Sequence, residues 1–242
     1  DCQHQFFHLL LKTLTDLQME VSLKIYQTYK SLARKINLFS ERRKLLLVCS
    51  LIAIFFWLCS LSRHLLFQSN AYDLGLFDQY LWLISRDFSP VSSIVGVHVL
   101  ADHGAWLLYV ASIFYKIHPN INWLFITQAI GLSFTAIPLW LLAQDAGLDK
   151  KQSWIICSIW WLQPVVFNTN LFDFHPEVWA MPALACSYLM YRKGKPLAWT
   201  VLCFIVLGSR DGMVLIIAGI GVEQFIRKKY IWSLFSIFIS IS

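Results

Sequence analysis

Gly104-Ala105-Trp106-Leu107-Leu108-Tyr109-Val110-Ala111-Ser112-Ile113-Phe114-Tyr115-Lys116-Ile117 is the stretch whose reading decides the fold. It is apolar enough to enter a bilayer. Its length gives only about 21 Å of helix at about 1.5 Å per residue, whereas crossing about 30 Å of hydrocarbon takes about 20 residues. An in-plane or re-entrant helix fits that length better than a crossing one. The choice matters because a crossing here would reverse the side on which everything downstream emerges.

Charge arbitrates. If the stretch does not cross, one side receives Lys12, Lys24, Lys30, Arg34, Lys35, Arg42, Arg43, Lys44, Lys150, Lys151, Arg192, Lys193, Lys195, Arg227, Lys228 and Lys229, leaving Arg63, Arg86, Lys116 and Arg210 on the other. If it does cross, the basic residues divide evenly. Short inter-helix loops carry their Lys and Arg on the cytoplasmic side, so the non-crossing arrangement is expected, with the N-terminus cytoplasmic. Residues 63–120 then form a long first outer loop containing in-plane helices.

The wider composition agrees with a membrane reading. The chain has 242 residues, of which 57% are hydrophobic and only 14% charged, and its mean hydropathy is +0.57. A soluble domain is nearer about 25% charged. The expected fold is all-α, a polytopic transmembrane helix bundle. After a first span at Leu45–Leu66, apolar runs follow near 121–143, 153–169, 178–191, 197–209, 212–226 and 230–242. Apolar residues recur at helical spacing through 5–36, interspersed with lysine and arginine, which predicts an amphipathic surface helix. The domains expected are a cytoplasmic arm over 1–44 and a transmembrane domain over 45–242. Because the chain opens without Met and stops inside an apolar run, that domain is expected to be incomplete at its C-terminus. Residues 1–44 do not form a cleavable signal.

The net charge of +6 does not point to nucleic acid, because the basic residues sit where a positive-inside bias puts them. Five of the six cysteines lie inside apolar runs, and no C-x-x-C pair occurs. That pattern implies neither a disulfide framework nor a zinc site.

Four short polar stretches interrupt the apolar runs: Tyr72–Gln79, Asp102-His103, Asp173-Phe174-His175-Pro176-Glu177 and Arg210-Asp211. Ionisable groups beside a bilayer are costly and are functional candidates by default. In the favoured topology all four emerge on the outer face. Asp73 and Asp78 are candidate catalytic bases. Arg63, Arg86 and Arg210 are candidate phosphate clamps, and Asp102, His103, Asp173, His175, Glu177 and Asp211 are candidate substrate contacts. Asp73, Asp173 and His175 could hold a divalent cation such as Mg or Mn. Each stretch also has a plain reading: helix caps for Asp102 and Glu177, a turn ion pair for Arg210-Asp211, and a solvated loop entering a helix at Asp73.

The strings Tyr72-Asp73-Leu74-Gly75-Leu76-Phe77-Asp78-Gln79 and Asn170-Leu171-Phe172-Asp173-Phe174-His175-Pro176-Glu177, with the Asp-His pair between them, resemble a family of bacterial membrane proteins grouped as domain of unknown function 2079. The resemblance runs from about Asn70 to about Lys229. It implies a relation to the C-type glycosyltransferases, the GT-C fold, which take a polyprenyl-phosphate sugar as donor. It further implies that Asp73, the first acid of the outer loop, is the catalytic base or a metal ligand, with Asp78 the second choice. The chain departs from the family pattern at Ser209-Arg210-Asp211-Gly212, where one acid is missing, and at Gly104, where a bulky residue is usual. The expected function is therefore a glycosyltransferase in the bacterial plasma membrane or an internal bacterial membrane, in contact with lipid. Two rivals stand beside it: a non-catalytic subunit or assembly factor of a larger membrane complex, and a proton-coupled transporter.

Overall fold

The structure, a computed structural model, describes Lys24, Gln27, Thr28, Lys30 and residues 40–241. The surface helix expected over 5–36 and most of the arm over 1–44 lie outside the described residues. The chain separates into two units, Asp1–Leu47 and Val48–Ser242. The second contains everything that follows, apart from the start of the first helix.

The described residues form helices joined by turns and irregular loops, with one isolated bridge between Val91 and His98 in place of any strand. The first helix, α1, is Ser40–Leu65. Then come α2 (Ala71–Ser85), α3 (Val99–Asp102), α4 (Leu107–Ile117), α5 (Asn122–Phe134), α6 (Ala136–Asp145), α7 (Lys150–Leu162) and α8 (Pro164–Leu171). A 3-10 turn at Pro176–Trp179 leads into α9 (Ala180–Arg192), α10 (Pro196–Leu207), α11 (Met213–Ile226) and α12 (Tyr230–Ile241). Among the described residues two helices are long and apolar enough to cross a membrane: α1, and the nearly continuous Asn122–Asp145 that joins α5 to α6. The other apolar runs give shorter helices. The run 153–169 is cut at Gln163, because Pro164 opens α8 and has no backbone N–H to offer α7. The stretch that begins at Gly104 is helical only from Leu107 to Ile117, 11 residues, or about 16 Å.

The helices at the C-terminal end have their polarity turned inside out. Along α12, Ile231, Leu234, Phe238 and Ile241 are exposed while Ser233 and Ser236 are buried. Ser236 Oγ donates 2.6 Å to Oε1 of Gln224 on α11, which is fully buried. A water-soluble protein does not present such apolar faces, whereas small and polar residues between closely packed helices suit a lipid-exposed bundle. Gly221 allows that approach, since a Cβ there would stand 3.0 Å from the Ser236 Cβ.

Tight turns close one end of the bundle. After α6, Gly147 N–H donates to Gln144 and Leu148 N–H to Ala143. After α9, Gly194 and Lys195 donate to Tyr191 and Met190 in the same pattern, with Gly194 at φ +64°. After α11, Lys228 and Lys229 donate to Phe225 and Gln224. Each is a Schellman stop, which uses the last carbonyls of a helix and reverses the chain. Arg192 pairs with Asp145, so the end of α9 meets the end of α6. The polar motifs all lie away from these turns.

Candidate functional site

The centre of the site is the loop after α8. Asp173 is 1% exposed and stands in the left-handed region at φ +46°, a conformation that Asp tolerates better than most residues. Arg63, near the end of α1, donates through Nη1 to Asp173 Oδ1 at 2.7 Å and to the Leu171 carbonyl at 2.6 Å. The second carboxylate oxygen accepts the Asn70 backbone N–H at 2.9 Å. Both oxygens of Asp173 are thus engaged, by residues more than 100 positions away in sequence.

Asn70 is the N-cap of α2, its side chain accepting from Tyr72 N–H. Asp73 therefore stands at the third helical position, where the acid of a capping box reaches back for the N-cap N–H. Asp173 already holds that N–H. Asp73 is half-buried and, among the described residues, makes no side-chain hydrogen bond or ion pair.

Two buried amides fix the same loop, one from α5 and one tying the end of α8 to α1. Gln128 of α5 donates through Nε2 toward the carbonyls of Thr169, Asn170 and Asp173, and its Oε1 accepts the His175 N–H at 3.2 Å. Asn170 donates to the Phe56 carbonyl at 2.8 Å and to Ser60 Oγ at 3.0 Å. Sequence reasoning passed over Gln128, Asn170 and Ser60. The available signal was an amide inside an apolar run, which is costly unless partnered.

Phe77 gathers the motifs. Its ring centroid lies 5.4 Å from that of His103, 5.4 Å from Phe174 and 6.5 Å from His175. Asp73 lies one helical turn before Phe77 and shares its face of α2. Asp78 is turned about 100° from Phe77 and accepts the Tyr115 hydroxyl at 2.6 Å, linking α2 to α4. Tyr80 donates to Asp102 Oδ2 at 3.2 Å, and burial together with that carboxylate pushes the phenol above its ordinary value. His103 Nδ1 is 2.7 Å from Asp102 Oδ2, a close contact without hydrogen-bond alignment.

The loop before α11 docks on the Asp-His pair. Asp211 N–H donates to the His103 carbonyl at 2.9 Å, and Leu107 N–H to the Gly208 carbonyl at 3.0 Å. Gly104, at φ +60°, packs so that a Cβ would meet Asp211 Cβ at 3.2 Å. Arg210 Nη1 pairs with Glu177 Oε1, and that hydrogen bond holds its guanidinium above its usual range. Asp211 is farther from Arg210, at 4.0 Å, and caps Gly212 N–H instead. Of the expected site residues, Arg86, which lies outside the four motifs, is left apart. It follows the C-terminal end of α2, about 20 Å along the helix from Asp73.

Beside this cluster opens a cleft of about 630 Å³, walled by Leu132, Trp160, Val165, Val166, Val178 and Met181 and bordered by Phe172, His175 and Glu177. The Glu177 Oε2 atom is buried and unpartnered. The His175 ring stacks on Phe172 at 5.2 Å, with Nδ1 3.2 Å from the Phe172 carbonyl. Among the described residues no three His, Cys, Asp or Glu side chains come together as a metal-ligand set. The set Asp73, Asp173 and His175 does not fit a cation, since both Asp173 oxygens are taken by Arg63 and Asn70.

A family model described as a predicted membrane protein, DUF2079, matches residues 63–242. The chain belongs to this family. The match starts at Arg63, so it takes in the partner of buried Asp173 as well as the four polar motifs, and it extends past Lys229 through α12. Family membership makes this a predicted membrane protein, in accord with its lipid-suited outer faces. No curated protein and no solved structure matches the chain.

Proposed function

We propose that the chain is a multi-pass membrane glycosyltransferase of GT-C type, acting on a polyprenyl-phosphate sugar at the face that carries the four motifs. The observation that carries this reading is the apolar cleft bordered by His175 and Glu177, with Arg210 on Glu177 and an unpaired Asp73 on the shared α2 face. An apolar trough ending in a few convergent polar groups is the form of a site for a lipid-linked substrate.

In this reading the lipid chain lies along the cleft, and Asp73 accepts the proton of the acceptor hydroxyl. The hydroxyl oxygen attacks the anomeric carbon as its bond to the lipid phosphate breaks, inverting that centre. The departing phosphate keeps the bonding pair, and Arg210 offsets its charge. Arg210 is the arginine suited to this role, because it pairs with Glu177 on the border of the cleft and keeps donors beyond that pair, whereas Arg63 is turned onto Asp173 and the Leu171 carbonyl. No step runs through a metal ion.

The gathering of the basic turns at the opposite end supports a cytoplasmic location for those turns and for the N-terminus, in a bacterial plasma or internal membrane. The outer loop 63–120 would then hold α2, α3 and α4, none of them long enough to cross.

The test is Asp73→Asn in a sugar-transfer assay with the full chain. Transfer should fall by about 10²–10⁴-fold, the usual contribution of a general base, at unchanged expression. Wild-type transfer would remove Asp73 from the mechanism. A second reading, a non-catalytic subunit of a larger membrane complex, draws support from Asp78, Asp102, Asp173 and Glu177 each already having a structural partner. Under that reading Asp73→Asn is silent and the chain co-purifies with fixed partners. A proton-coupled transporter draws less support, because the acids of the four motifs gather at one end while Asp145 and Glu223 at the other end are paired with Arg192 and Arg227, with no relay between among the described residues.

A further inference from the structure

The end of the bundle away from the motifs holds a separate cavity of about 390 Å³. Arg192, Arg227 and Lys229 line it together with Tyr188, Tyr191 and Trp232. Arg192 gives its Nε to Asp145, and Arg227 gives its Nε to Glu223. A guanidinium carries five N–H donors, so each arginine keeps donors to spare beyond its carboxylate partner. Lys229 closes the α11–α12 turn through its backbone, and its ammonium makes no side-chain hydrogen bond or ion pair among the described residues. Lys193, Lys195 and Lys228 adjoin these residues in sequence and are exposed, outside the cavity lining.

The aromatic wall points to the kind of surroundings. Tyr191 meets Trp232 edge-on at 5.1 Å, and Trp232 meets Trp199 at 5.4 Å and 90°. Tyr and Trp rings are favoured at the headgroup level of a membrane, where anionic phosphates lie.

We propose that this cavity binds an anionic phosphate group, taken by the spare donors of Arg192 and Arg227 and by Lys229, with Tyr191 and Trp232 packing against whatever the phosphate carries. The phosphate can belong to a phospholipid headgroup or be free. The inference stands apart from the sugar-transfer reading, since it concerns other residues and the opposite end of the bundle.

The experiment uses the full chain in discs of phosphatidylcholine, with or without roughly one part in five of phosphatidylglycerol. Native mass spectrometry then counts the lipid retained, and a separate titration with inorganic phosphate follows the melting temperature. Wild type should retain phosphatidylglycerol saturably. The Lys229→Gln variant, which leaves both arginine ion pairs intact, should bind several-fold more weakly, and Arg227→Gln with Lys229→Gln should lose about tenfold or more, at about 1 kcal/mol per charge. Lys193→Gln with Lys228→Gln removes as much charge outside the cavity lining and should keep the retained lipid. Phosphatidylglycerol binding without a response to inorganic phosphate identifies a lipid headgroup. A response to both, equally sensitive to Lys229→Gln, identifies the phosphate alone as the determinant. No saturable binding of either probe, or equal loss in the Lys193/Lys228 pair, overturns the proposal.

Discussion

The two ends of this bundle are built on different principles. At the basic end the chain reverses within three or four residues, held by backbone Schellman bonds and by exposed ion pairs such as Arg192–Asp145. At the motif end α1 also stops on Schellman bonds, with Phe67 and Gln68 donating to His64 and Arg63, but the connections around Asp173 and Arg210 are irregular. They are held by groups from distant parts of the chain: the Arg63 side chain and the Asn70 backbone N–H on Asp173, buried Gln128 on the α8 loop, and buried Asn170 on α1. Schellman stops satisfy themselves locally, so the basic end needs little from the rest of the fold. An irregular loop must have its orphan N–H and C=O groups satisfied from elsewhere, and the partners it recruits make that end stiff. Stiff, irregular backbone with polar groups held in place is what a substrate site requires.

The contrast can be broken by substitution, and the largest effect is expected at Asp173. Asp173→Asn keeps the left-handed backbone but leaves Arg63 without its counter-charge. Loss of about 3 kcal/mol is expected, the low end for breaking a buried pair because Arg63 retains some solvent contact. A thermal melt in detergent would show it as a clear fall in midpoint. A melt indistinguishable from wild type would mean that the motif end is not held by this pair.

Gln128→Leu comes next. It deprives the 169–175 loop of a donor and an acceptor at a fully buried position and should cost about 1–3 kcal/mol. Limited proteolysis should show new cleavage in that loop before the rest of the fold opens. Gly208→Ala should follow, because its Cβ would meet the Trp106 ring at 2.3 Å. Displacing that ring should cost about 1–2 kcal/mol as overpacking. A tryptophan fluorescence change without loss of fold would locate the shift at α4.

The smallest effect is expected at the other end. Arg192→Gln removes an exposed pair and should change stability by less than about 1 kcal/mol. A cost comparable to Asp173→Asn would erase the distinction between the ends.

The helical class and the membrane character were legible in the sequence, because apolar runs and charged turns are local signals. The start of α10 at Pro196 agrees with the run read from 197, whereas the run read across 153–169 passed over Pro164, which opens α8. The halt of α11 at Ile226 was legible as the end of the apolar run 212–226, but the left-handed turn at Lys228 was not, since a lysine at φ +59° carries no glycine signal. The polar motifs stood out because they interrupt apolar runs. The engagement of Asp173 was hidden, because Arg63 is 110 residues away and nothing local announces the pairing. Gln128 was visible as an amide in an apolar run, but its partners are backbone groups, which every residue has. The cleft beside His175 depends on how α5, α7, α8 and α9 stand off from one another, and no single segment encodes that spacing.

The Asn70 N–H is a point of competition. Two carboxylates are placed to claim it, and Asp173 has the claim. Were the α8 loop to withdraw, Asp73 would fold back onto the vacated donor and exchange its freedom for a capping role. The position of one loop would then set the availability of a base on another helix, as a ratchet sets the travel of a wheel. Strong non-additivity between Asp73→Asn and Asp173→Asn in a stability cycle would register that exchange, and simple additivity would rule it out.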